Sequence, residues 1–310
     1  MNSDRIKPLN SFKFNGSSVC YWMQRDKRVQ DNWALIHAQD LALKNKVPLY
    51  VCFTYLGKFE NANIRQYQFL FDGLKETSEK LNDKNIPFYL LNGDPVNEIS
   101  KFIEINNIGS LVTDFSPLKV YQNRVEKIAS KISIQFQQVD AHNIIPTWIA
   151  SEKQEYAAYT FRPKVLKKID EYLTDFPEII NHPIKPSIEL KSINWEDVIN
   201  NLEIDFSIPK IDWLNSGENA AEVILNKFIN ESYHNYGDDK NNPNLDGTSN
   251  FSPYLHYGHI SSQRIALLLY ANEAIESKGF LEQLIIRREL ADNFCYFNKS
   301  YDSYDGFPNW

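Results

Sequence analysis

The sequence predicts an α/β domain built on a parallel sheet, followed by an all-helical domain. Short apolar runs alternate with helix-patterned segments through residues 1–140, the pattern of strands joined by crossover helices. Within residues 141–215 that rhythm breaks: His182-Pro183, Pro186 and Pro209 stand among mixed polar residues, which reads as a connector and an irregular linker over 181–213. From Gly217 onward Ala220, Val223, Ile224, Phe228 and Ile229 recur on one helical face, so residues 216–310 read as helical.

Taken in order, Ser18–Met23 is apolar and aromatic enough for a buried strand, and Arg25-Asp26-Lys27-Arg28 follows as a polar turn. Asp31-Asn32 is placed to cap a helix carrying Trp33, Leu35, Ile36, Ala38, Leu41 and Ala42. Val47–Tyr55 is the next strand, and Ile64–Leu81 a long helix with Tyr67, Phe69, Leu70 and Leu74 inward. Ile86–Leu91 is a third strand. Asp94-Pro95 opens a helix by an N-cap followed by proline. Ser110–Thr113 and Ile132–Val139 complete five strands, and Pro163 admits a helix over 164–173.

Such sheets hold ligands at the carboxyl ends of their strands. Here those ends carry Gln24-Arg25-Asp26, Thr54-Tyr55, Asn92-Gly93-Asp94 and Thr113-Asp114-Phe115-Ser116. No glycine-rich dinucleotide or nucleoside-triphosphate fingerprint accompanies them. Composition narrows the field further. The 310 residues are long enough for two cores, and no run of eighteen apolar residues could span a membrane. The three cysteines, Cys20, Cys52 and Cys295, are scattered among apolar neighbours, as buried free thiols would be. The six histidines form no metal-ligand pattern, and His142 reads as a hydrogen-bonded structural residue. The net charge of −7, with the acidic excess in the second half, is unusual for a protein that grips a polyanion. The six tryptophans are dispersed and read mainly as packing residues.

Two stretches concentrate the chemistry. In 236–264, Thr248, Ser249, Asn250 and Ser252 gather immediately before Pro253 and an aromatic run. Ser or Asn before proline starts a helix, and a helix start with added hydroxyls can hold phosphate or simply be capped. Gly258-His259-Ile260-Ser261 then caps a second helix over 262–274. In 281–294, an amphipathic segment carries Arg287 and Arg288, whose adjacency points them to different faces.

The segments SNFSPYLHYGHISSQR, LIIRRELADNFCYFN and YDSYDGFPNW resemble the photolyase and cryptochrome family, in detail its class II cyclobutane pyrimidine dimer photolyases. YWMQRDKRVQDNWAL, TDFSPLKVY and the run from Val139 to Lys164 extend the resemblance over nearly the whole chain. It implies a Rossmann-like antenna domain, then a helical FAD- and DNA-binding domain that stops short of the family's end. It implies FAD contacted by Tyr236, with Thr248, Ser249, Asn250, Phe251 and Ser252 at its pyrophosphate and Arg288 nearby. Gln283 and Arg287 take the places that face the lesion, and Lys240 is a further candidate for a DNA phosphate. Relatives carry glutamate where Gln283 stands; a one-residue shift would put Glu282 there instead. The implied activity is light-dependent repair of pyrimidine dimers in DNA, with an optional deazaflavin or folate antenna. The implied setting is cytoplasmic, or nuclear in a eukaryote, as a monomer or with a second polypeptide supplying the remaining helices. A cryptochrome-like light sensor and a non-catalytic truncated relative stay open as alternatives.

Overall fold

The computed structural model describes residues 1–186, 192–270 and 279–307. A six-stranded sheet of order β1-β6-β5-β2-β3-β4 forms the first half. Its strands are β1 (Ile6–Pro8), β2 (Ser18–Met23), β3 (Leu49–Tyr55), β4 (Phe88–Asn92), β5 (Ile108–Asp114) and β6 (Gln135–Val139). The crossovers are α1 (Trp33–Asn45), α2 (Ile64–Asn82), α3 (Pro95–Ile105) and α4 (Lys119–Lys131). All strands run parallel except β1, which lies antiparallel beside β6.

Central β2 is buried on both faces, as a doubly covered parallel strand must be, so it reads as an unbroken apolar run. One core layer, from Tyr21, Met23, Leu35, Val51, Phe71 and Leu74, packs α1 and α2 on the sheet. The opposite layer, from Cys20, Trp22, Cys52, Ile99, Leu111 and Phe136, packs α3 and α4. The expected caps form: Asn32 accepts from the amides of Ala34 and Leu35, and Asp94 accepts from that of Asn97.

The rest of the chain is helical: α5 (Thr147–Ala150), α6 (Ala158–Leu166), α7 (Ile169–Tyr172), α8 (Trp195–Asn200), α9 (Glu218–Lys227), α10 (Tyr236–Asp239), α11 (Ser252–Tyr257), α12 (Ser262–Leu269) and α13 (Arg288–Phe297). A wide π-helical turn, Glu282–Arg287, leads directly into α13. Phe161, Val165, Leu225, Phe228, Phe251, Tyr254, Ile265, Leu281 and Ile285 share a third core.

The structure departs from the sequence reading in five places. The edge strand β1 and the helix α4 were not expected, because β1 has three residues ending in proline and α4 buries only Val125 and Ile128. The helix expected from Pro163 begins at Ala158 and keeps Pro163 inside it. The linker expected to be irregular contains α8, whose Trp195 packs on Phe71 at 6.2 Å between ring centres. Finally, the polar turn after β2 is not exposed: Asp26, Lys27 and Arg28 are buried. The expected helix over 262–274 is seen through Leu269, and its last four residues lie outside the described residues, as does Trp310.

That turn is buried because the helical half docks on it. Arg25 makes a two-pronged pair with Asp292 of α13 at 2.6 and 3.0 Å, and Asn143 donates to the same carboxylate at 3.0 Å. Arg28 pairs with Asp26 and donates to the carbonyls of Gly258 and Ala141. Arg264 holds Asp31, Arg5 reaches Gln263, and Trp33 donates to Gln263. Gly258, at φ +72°, ends α11 so close to the turn that a Cβ there would stand 2.2 Å from the Arg25 carbonyl oxygen. Replacing Asp292 by alanine strands the Arg25 guanidinium at this seam and is expected to cost about 2–4 kcal/mol. A urea titration reads this as a lower midpoint; an unchanged midpoint would remove the pair from the account of stability.

Candidate functional site

Asp114, at the end of β5, accepts hydrogen bonds from the amides of Gln24, Arg25 and Asp26 at 2.6–2.9 Å. The strand order reverses at β2 and β5, so the turn after β2 sits at the switch point where open α/β sheets form their crevice. A cavity of about 510 Å³ opens beside it. Met23, Gln24, Arg25, Lys27, Thr54, Tyr55, Ser116, Tyr121 and Arg124 are among the residues that line it. Leu255, His256 and Tyr257 of α11 line it from the helical half. Of the strand ends singled out in the sequence, Gln24, Arg25, Thr54, Tyr55 and Ser116 line this cavity; Asp94 is occupied as the cap of α3.

The cavity is aromatic and cationic. Phe53, Tyr55, Phe59, Tyr67, Tyr121 and Tyr257 contribute rings. Arg25, Lys27 and Arg124 contribute cations against one acidic side chain, Glu60. Lys27 stacks over Phe53 and Tyr257, and burial lowers its pKa to about 8 despite the nearby Asp114 and Asp26. An anionic planar ligand would regain the charge balance that burial takes from this lysine.

His142 is buried and hydrogen-bonded, as the sequence suggests, and it also lines the cavity. Its Nδ1 lies 3.1 Å from Asp26, and its carbonyl accepts from Ser262 and Arg288. Burial, with Arg25 and Arg288 close by, lowers its pKa to about 3.

The stretch before α11 folds differently from the expected cap. The helix begins at Ser252, Phe251 occupies the boundary position, and no side chain caps it. Asn250 adopts a left-handed conformation, φ 57°. Its side chain is taken up within the loop, accepting from Thr248 Oγ1 at 3.2 Å and reaching Asp246 at 3.5 Å. Thr248, Asn250 and Ser252 are exposed and Ser249 is half-buried. Phe251 is buried and meets Phe228 at 5.3 Å and Phe280 at 5.8 Å. Tyr236 meets Phe228 and Phe280 edge-on, with the Lys240 ammonium 5.1 Å over its ring.

Phe280 leads into the second stretch. On the π-helical turn Glu282 is buried, whereas Gln283 and Arg287, four residues apart, are exposed. Arg162 of α6 grips Glu282 through Nε at 3.1 Å and Nη2 at 2.8 Å, and Arg287 Nε touches the same carboxylate at 3.3 Å. Arg288 turns the other way, to the His142 carbonyl at 3.0 Å; its Nη1 is buried with no partner among the described residues. The two adjacent arginines therefore serve opposite faces, one outward and one toward the seam.

Sequence reading missed Arg162, Glu289 and Asp292. Each lies in an amphipathic or polar run with no spacing signal, and each gains its partner from a distant segment. Among the described residues no His, Cys, Asp and Glu group is arranged for a metal, and no helix is long and apolar enough to cross a membrane.

Glu289 carries a testable consequence. It is buried, accepts from the Ile144 amide at 2.6 Å, and has a second oxygen without a partner among the described residues. Burial raises its pKa from 4.5 to about 8, against the pull of Arg288. Its contribution to stability is therefore full below about pH 4.5 and is lost as pH rises through about 8. Glu289→Gln keeps the acceptor and removes the titration. Relative to the parent, the variant is expected to gain about 2–6 °C or more in Tm at pH 9 and nothing at pH ~3.5. A pH-independent difference between the two would contradict a buried neutral carboxyl.

The family model described as DNA photolyase matches residues 19–182. A deoxyribodipyrimidine photo-lyase of Potorous tridactylus is 42% identical over all of this chain and 60% of its own length. One from Arabidopsis thaliana is 39% identical over 94% of this chain and 62% of its own. One from Methanothermobacter thermautotrophicus is 33% identical over all of this chain and 69% of its own. The chain thus spans roughly three-fifths of the length of the first two. A bacterial class III photolyase from Agrobacterium tumefaciens superposes with a TM-score of 0.71 at 19% identity, over 91% of this chain and 59% of that one, which is a likeness of fold.

Proposed function

Because this chain belongs to the DNA photolyase family, we propose that it takes part in light-dependent repair of cyclobutane pyrimidine dimers in DNA, with FAD as cofactor. The observation that carries this reading is the packing of Phe251 on Phe280. It brings the loop of Thr248, Ser249, Asn250 and Ser252 up against the helix that presents Gln283 and Arg287. The donor chemistry of the loop suits a diphosphate: the hydroxyls of Thr248 and Ser252 are exposed and that of Ser249 half-buried, all at or just ahead of a helix start. The rings of Tyr236, Phe228 and Phe280 offer an apolar wall beside it. Arg288, whose buried Nη1 has no partner among the described residues, is the inward cation of the set.

Bound reduced flavin would supply a light-driven one-electron donor. The chain's own part is to bind, orient and keep water out. A dimer must leave the helical stack to be reached. Gln283 can donate to and accept from the edge of an extruded pyrimidine, without the charge that glutamate would bring. Arg287 and Lys240 are the cations for flanking phosphates. The cavity at the sheet's carboxyl edge, with its rings and cations, suits an antenna chromophore that is planar and anionic, a deazaflavin or a folate. The remaining family length, on this reading, comes from further chain or from a second polypeptide, and the setting is wherever the cell keeps its DNA.

The deciding experiment expresses the protein, alone and with a candidate partner. Bound flavin is sought by its absorption near ~450 nm, and dimers in ultraviolet-irradiated DNA are counted before and after illumination. Light-dependent loss of dimers is expected; neither flavin nor loss in any combination would overturn the reading. The double variant Ser249→Ala, Ser252→Ala should retain less than about a third of the parental flavin, since two hydroxyl donors to a charged diphosphate are lost. Full retention would remove the loop from the cofactor site.

A further inference from the structure

The Glu282 carboxylate lies between two guanidinium groups. Arg162 holds it from α6 with two hydrogen bonds, and Arg287 meets it with one longer contact. Glu282 is almost fully buried, with a side chain only 5% exposed, whereas that of Arg287 is 58% exposed. A buried carboxylate demands a counterion, and it takes the nearest one available. With Arg162 in place that demand is met from below, and Arg287 leans on the pair without being consumed by it. Two cations on one anion leave a net positive charge, and the exposed member carries it outward. The π-helical turn makes this possible by setting Glu282 and Arg287 five residues apart on one side.

We propose that Arg162 is a positioning residue: by neutralising Glu282 it keeps the Arg287 guanidinium available to a nucleic-acid phosphate. This rests on the reading that Arg287 faces DNA. Without Arg162, Glu282 draws Arg287 into a closed two-pronged pair, and the outward charge disappears although Arg287 is still present.

The test measures binding of the full chain to ultraviolet-irradiated duplex across a salt series, for Arg287→Gln, Arg162→Gln, Glu282→Gln and the double variant Arg162→Gln, Glu282→Gln. Arg287→Gln should weaken binding about 3–10-fold and lower the salt slope by about one, as loss of one phosphate contact does. Arg162→Gln should match both effects with Arg287 untouched. The double variant should return affinity and slope to within about twofold of the parent, because no buried anion is left to capture Arg287. Circular dichroism confirms folding of each variant, and rescue in the double variant is the readout that a purely structural role of Arg162 would not give. Loss in Arg162→Gln without rescue, or no loss at all, overturns the proposal. No effect of Arg287→Gln instead overturns the placement of Arg287 against DNA.

Discussion

Charge buried between the two halves of the molecule is the constraint on which the rest depends. Asp114 fixes the turn after β2 through three backbone amides, and Asp26, held by Arg28 and His142, fixes it from the other side. Asp292 then reaches across from α13 to Arg25 and Asn143. Nearby charges hold Asp26 and Asp292 well below the usual carboxylate range despite burial, whereas burial raises Asp114 to about 6. Ion pairs of this kind return little net stability over apolar packing, because desolvation offsets the attraction. What they add is direction: each guanidinium donates to its partner in one plane, so the helical half docks at one angle.

That angle shapes two candidate sites at once. It brings α11 over the carboxyl edge of the sheet, where Leu255, His256 and Tyr257 line the cavity. It also fixes α13 and the π-helical turn that precedes it, and so the direction in which Gln283 and Arg287 point. The continuous run of π-helical turn and α13 shows both behaviours along its length: Asp292 and Arg288 face the seam, while Arg287 faces solvent. A ligand in the cavity and a polymer on the outer face would thus report to one rigid contact.

Much of this was legible in the residues. Strand β2 shows as an apolar run because both its faces are covered, and Asn32, Asp94 and Ser261 announce helix starts because their side chains accept orphan amides. The family resemblance located the loop of Thr248–Ser252 and the arginine pair. Other features were out of reach for identifiable reasons. Arg25-Asp26-Lys27-Arg28 looks solvated by composition, and only partners more than a hundred residues away, such as Asp292 and His142, reveal that it is buried. Asn250 looks like a cap, yet Thr248 and Asp246 claim its side chain first. Whether Glu282 or Gln283 points outward depends on a single extra residue in a helical turn, and hydrophobic periodicity does not resolve a π-bulge from an α-helix.

The glycine that closes α11 has an architectural consequence. At Gly258 the backbone of the helical half rests on the backbone of the turn, with only hydrogen where any other residue would have carbon. The headroom of the chamber beneath α11 therefore depends on main-chain thickness at this point as well as on the ion pairs that set the docking angle. A single methyl at that spot would act as a shim, lifting the roof from the floor and changing which guests the chamber admits while every residue lining it stayed the same.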